Sequence, residues 1–165
     1  MSTRLRIVMF GFISGLIWSI VPGLISGLFV YSLDETVTVF ASGALAGLLV
    51  SFALGTLLMR SNFGSTLAFG LLSLPLGAFA FGVFVSLVQW IAREFTGVPY
   101  RFVADGFSPF ETGFDYAVYS LFSSFAFFLI PLAILTTFIL RAVIRSGGGE
   151  IINEERRAQS DAPYH

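Results

Sequence analysis

The stretch GFISGLIWSIVPGLISG, residues 11–27, carries a small residue at every fourth position: Gly11, Gly15, Ser19, Gly23 and Gly27. It contains no charge. An uncharged apolar run of this kind reads as a membrane-spanning helix, because about 20 such residues cross the hydrocarbon layer. In lipid, burial of apolar surface does not drive helices together. Association rests on dispersion contacts, and small residues that let two backbones approach are favoured. A series at i, i+4 and i+8 forms one ridge, so this helix is expected to pack closely on a neighbour.

Working outward, the same reading holds for most of the chain. Its 165 residues are 56% hydrophobic and only 12% charged, with a mean hydropathy of +0.87. A soluble domain carries about 25% charged residues. Four runs lack any charge, at 7–33, 36–59, 63–92 and 116–140, apart from the ends of the chain and the segment 93–115. They predict an all-α integral membrane protein, a bundle of four transmembrane helices. The first run is too long for a secretory signal and has no small-residue cleavage site after it, so it is expected to be retained. Residues 1–145 form the expected membrane domain, and 146–165 a polar tail without fixed structure behind the SGGGE break.

Orientation follows from basic residues near the span ends. Arg4, Arg6, Arg60, Arg141, Arg145, Arg156 and Arg157 fall on one side, against Arg93 and Arg101 on the other. Both termini are therefore expected in the cytoplasm, in a cell membrane. Tyr31, Trp90, Tyr116 and Tyr119 fall at the opposite ends of their runs, as an interfacial aromatic belt should. All nine basic residues are arginine, a usage that fits a GC-rich or salt-adapted prokaryotic genome and equally fits codon bias alone.

The second run carries a matching ridge at Gly43, Gly47, Ser51 and Gly55. With the turn placed at Asp34, the two ridges interleave in depth, Gly43 falling between Gly27 and Gly23, and Gly47 between Gly23 and Ser19. Ser32 and Glu35 have capping-box spacing for the second helix. In the outer segment, SPFE offers Ser108 as N-cap, Pro109 at the first helical position and Glu111 reaching back, so a helix is expected to start near Pro109.

Pro22, Pro75 and Pro131 lie near the centres of three runs. Proline removes one backbone hydrogen bond and frees a carbonyl, so these are candidate midplane breaks of the kind that line transport pathways. Simple kinks are the alternative. Trp18 lies deep in the first run, and its indole is expected to seek a carbonyl freed by Pro22. Gln89, beside Trp90, is expected at the interface. The outer segment offers Tyr100, Arg101, Phe102, Phe107 and Phe110 as a candidate recognition surface, since aromatic and arginine residues are enriched at interface centres.

Catalysis has little material. The sequence has no cysteine and one histidine, the terminal His165, and no catalytic or nucleotide-binding motif. No enzyme activity, metal, cofactor or nucleic-acid partner is expected. The expected partners are the lipid bilayer and other membrane proteins or further copies of the chain. Two functions stand: a non-enzymatic subunit, assembly factor or homo-oligomer acting by helix packing, and a small transporter or channel for an uncharged or weakly polar solute.

Overall fold

The computed structural model describes residues 3–26, 33–96 and 108–160, with side chains described for 4–21, 36–95 and 108–146. The described residues form five helices and no strand: α1 (Thr3–Ser26), α2 (Leu33–Leu58), α3 (Phe63–Thr96), α4 (Pro109–Phe122) and α5 (Ala126–Ser160). Four of them contain stretches long and apolar enough to cross a membrane: Arg4–Val21, Thr36–Leu58, Phe63–Phe95 and Ala126–Ser146.

The fourth apolar run is not one helix. It is cut at Ser123-Ser124-Phe125, and its first part belongs to α4, which is 14 residues long and at about 21 Å falls short of the hydrocarbon thickness. Ser123 leaves the helix at ψ 157° while its N–H still reaches the Tyr119 carbonyl. The Ala126 N–H bonds to the Ser123 carbonyl to start α5. Serine competes for backbone partners and favours such ends. The run carries no charge across the break, so hydropathy alone merges the two helices.

Other expectations also shift. α4 does begin at Pro109, but Ser108 makes no side-chain cap bond, and the Thr112 N–H bonds the Ser108 carbonyl at 3.2 Å instead. The reciprocal cap occurs at α3, where Asn62 Oδ1 accepts from the Ser65 N–H at 2.8 Å and the Asn62 N–H donates to Ser65 Oγ at 2.9 Å. α5 does not break at SGGGE; its helical backbone continues through Gly147, Gly148 and Gly149 to Ser160. Three glycines cost about 1 kcal/mol each against alanine, but a helix already nucleated propagates more easily than it starts. Ser32 lies outside the described residues, so its proposed cap with Glu35 does too.

The helices form a ring in which α1 packs on α2, α2 on α3, α3 on α5, and α5 back on α1. α4 lies along α3. Across the ring, the described backbone of α1 does not closely approach that of α3 or α4. Ile7, Leu54, Leu58, Leu140 and Ile144 fill one end of the bundle. That end holds the start of α1 and the end of the apolar part of α5, because Arg6 also donates to Ser146 Oγ. Beyond it the core thins to Leu74, Leu129 and Ala133, flanked by Trp18, Val21 and Phe125.

Candidate functional site: a cavity behind the glycine seam

The α1 and α2 ridges meet face to face. A Cβ added at Gly11 would stand 2.9 Å from the Gly47 carbonyl oxygen, and one at Gly47 only 2.6 Å from Gly15 Cα. Gly15 lies directly against the Gly43 backbone, and Gly43 against Ser19 Oγ. Ser19 donates to its own helix, at the Gly15 carbonyl, 2.8 Å away. Ser51 reaches Gly11, and a Cβ added at Gly55 would stand 3.0 Å from Ile7 Cδ1. Helices at this separation have no room for a side chain between them.

The register differs from the one counted from Asp34. Gly43 sits between Ser19 and Gly15, about two turns along α1 from the expected place between Gly27 and Gly23. α1 is described to Ser26 and α2 from Leu33, so a count inward from Asp34 crosses residues 27–32, which lie outside the described residues. Gly23 falls in the last turn of α1, where its surroundings are not described, and Gly27 lies outside the described residues.

A second close contact joins α3 to α4. A Cβ at Gly82 would stand 2.8 Å from the Thr112 carbonyl oxygen, and one at Gly113 would stand 2.9 Å from that of Phe79. Beside them Ser86 Oγ donates to Thr112 Oγ1 at 2.8 Å, both residues buried. Gln89, one turn further along α3, is also buried, at 3% exposure, and its Oε1 has no partner among the described residues. Its side chain is thus turned into the protein and not toward the surface.

Between the two seams lies a cavity of about 620 Å³. The α1–α2 ridges form one wall, α3 and α5 the opposite one, and α4 borders the end away from the filled core. The walls are mostly apolar. Ser19, Ser73, Ser120 and Thr137 line it, but each donates its hydroxyl proton to its own helix, at 2.7–2.9 Å. What they offer a guest is an oxygen lone pair. The indole of Trp18 donates to Thr136 Oγ1 at 3.4 Å, and Thr136 passes its proton to the Leu132 carbonyl at 2.8 Å. The expected partner, a carbonyl freed by Pro22, is replaced by a hydroxyl on another helix.

Gly77 faces this space. A Cβ added there would meet nothing within 4 Å. At the α4 end the lining includes Asp115, Tyr116 and Tyr119, with Asp115 and Tyr119 exposed, so the cavity reaches the surface beside α4. Tyr116 stacks on Phe81 with ring centroids 5.7 Å apart. Among the described lining residues Asp115 is the one carboxylate, and it stands at this exposed end and not in the wall.

The three candidate breaks lie within helices. α1, α3 and α5 run helical through Pro22, Pro75 and Pro131. Pro75 is half-buried, Pro131 is exposed, and the surroundings of Pro22 are not described. Of the candidate recognition residues, Phe110 is exposed and tilts against Phe79 with centroids 6.4 Å apart. Tyr100, Arg101, Phe102 and Phe107 lie outside the described residues. Among the described residues no three side chains of the metal-ligating types come together.

Sequence reasoning passes over Gly77, Thr136 and Thr137 as site residues. The available signal is an adjacent pair of threonines, together with a glycine that belongs to no four-residue series. Compared with protein-family models, curated proteins and solved structures, the chain matches none of them.

Proposed function

We propose that the protein is a small non-enzymatic membrane protein that admits an uncharged or weakly polar solute to its central cavity, as a transporter or channel. The observation that carries this reading is the 620 Å³ cavity, apolar in its walls and sparsely hydroxylated, opening beside Tyr119 and Asp115. Pockets of about 300–1,000 Å³ with few polar groups are of the size and kind that hold small molecules. Among the described lining residues no charged group other than Asp115 occurs, which argues against an ion or proton pathway. We place the arginine-bearing end, and with it both termini, in the cytoplasm on the basic-residue asymmetry.

The alternative, a subunit or assembly factor working through its glycine ridges, has less support. Gly11, Gly15, Gly43 and Gly47 are spent on contact within the chain, so an interface with another chain would use other surface. The test is solute flux into liposomes, with glycerol and urea as probes, comparing the wild type with Gly77→Leu. Leucine fills open space there, so the expected result is a folded protein with flux reduced to that of empty liposomes. Wild-type flux of both probes no faster than in empty liposomes would overturn the reading.

A further inference from the structure

At the filled end of the bundle two cations converge on one atom. Arg141 Nη2 and Arg145 Nη2 each donate to the carbonyl oxygen of Ser61, both at 2.9 Å. Ser61 lies in the turn between α2 and α3. Its hydroxyl donates to the Leu58 carbonyl at 2.9 Å, so the turn is rigid. One neutral carbonyl, even with the negative end of the α2 dipole behind it, is a small counterweight to two full positive charges.

The remaining groups nearby add positive charge. The N-terminus of α3, the positive end of its dipole, begins at the next turn. Arg60 is exposed on the same turn, and Arg6 reaches Ser146 at this end. Arg141 Nε is buried without a hydrogen-bond partner among the described residues. The carboxylates of α2, α3 and α4, at Asp34, Glu35, Glu94, Glu111 and Asp115, belong to the opposite end of their helices. On this side the sequence holds Glu150, Glu154, Glu155 and Asp161, in the stretch whose side chains are not described.

We propose that Arg141, Arg145 and the turn at residues 60–62 bind the phosphate of a membrane phospholipid. Guanidinium groups present several donors in a fixed fork that matches phosphate oxygens. Most of those donors remain after the Ser61 bonds are made. The source is a lipid and not free phosphate, on two grounds. The pair closes the apolar stretch Ala126–Ser146, which sets it at headgroup depth. Beside it Met59 and Phe63 are exposed, at 50% and 69%, and give an acyl chain a surface to lie on. This site is independent of the cavity and of any solute in it.

The test is native mass spectrometry of the full chain, counting lipid retained from mixed micelles of phosphatidylglycerol and phosphatidylcholine. The wild type should retain phosphatidylglycerol in preference, because phosphatidylcholine carries its own cation next to the phosphate. Arg145→Gln, which leaves Arg141 to hold Ser61, should lose about tenfold in apparent affinity, the worth of one charge-assisted hydrogen bond. Arg60→Gln, on an exposed side chain, is a fold-neutral second variant and should lose less. Inorganic phosphate at millimolar concentration should not displace the lipid; displacement would assign the site to free phosphate and overturn the lipid source. Retention unchanged in both variants would overturn the site itself. A gain of lipid in the Glu150→Gln, Glu154→Gln, Glu155→Gln variant over a wild type that binds none would overturn it too, by showing that the tail supplies the counter-ion.

Discussion

Gly15 and Gly77 both face the interior of the bundle, yet a methyl group added at each meets opposite surroundings. At Gly15 it runs into the Gly43 backbone, and at Gly77 it meets nothing. The first glycine lets two helices touch, and the second leaves a volume unfilled. The same residue type therefore builds the tightest and the loosest parts of one molecule. A seam that draws α1 and α2 together on one side leaves the described backbone of α1 apart from that of α3 and α4 across the ring, and the cavity is what remains between them.

Substitutions separate the two regions, and the largest effect belongs to the seam. Gly15→Leu forces apart two backbones that cannot yield separately, and should cost about 3 kcal/mol, at the upper end for overpacking. Reversible unfolding in mixed micelles would measure it; unchanged stability would break the comparison. Gly82→Leu strikes the α3–α4 contact, where α4 is short and borders the bundle, and should cost about 2 kcal/mol by the same measurement. Gly77→Ala should change sign. With open space at the Cβ, only the backbone preference counts, and alanine should stabilise by up to about 1 kcal/mol. A destabilised Gly77→Ala would mean that the cavity is closed in solution. The smallest change is Thr112→Val, which removes the hydroxyl that accepts from Ser86. Hydroxyl pairs between membrane helices are worth about 0.6 kcal/mol, and a loss far above that would make this pair the main tie of α4.

The sequence carries some of this openly. Charge-free runs mark four spans because water-exposed polar groups are excluded from lipid, and fourfold spacing marks Gly11, Gly15, Gly43 and Gly47 because only small residues permit contact. The ends of helices are far less legible. The register counted from Asp34 misplaces Gly43 by about two turns, because fourfold spacing marks which faces meet and not how far along the helices they meet. At Ser123-Ser124-Phe125 an uncharged break looks like any other stretch of membrane helix. Prolines are legible only as positions: the helices continue through Pro22, Pro75 and Pro131, and a proline in a sequence does not record which carbonyls it frees into a cavity. The cavity itself belongs to no single segment. It is a difference in volume among five helices, which no local pattern records.

The Ser61 carbonyl, gripped by Arg141 and Arg145, has a consequence for the order in which the molecule is made. Its two partners lie 80 and 84 residues further along the chain, while every contact of the α1–α2 seam is complete once α2 has been synthesised. Local contacts form early and distant ones late. The hairpin is therefore expected to close first in the nascent chain, with the turn at its end standing open until α5 arrives. A chain truncated after Arg60 should already show the α1–α2 contact, for instance by crosslinking between residues of the two helices that flank the seam, with the glycines left in place. The arginine clamp then acts as the last closure of biosynthesis, the step that ties the end of the protein to a turn laid down near its beginning.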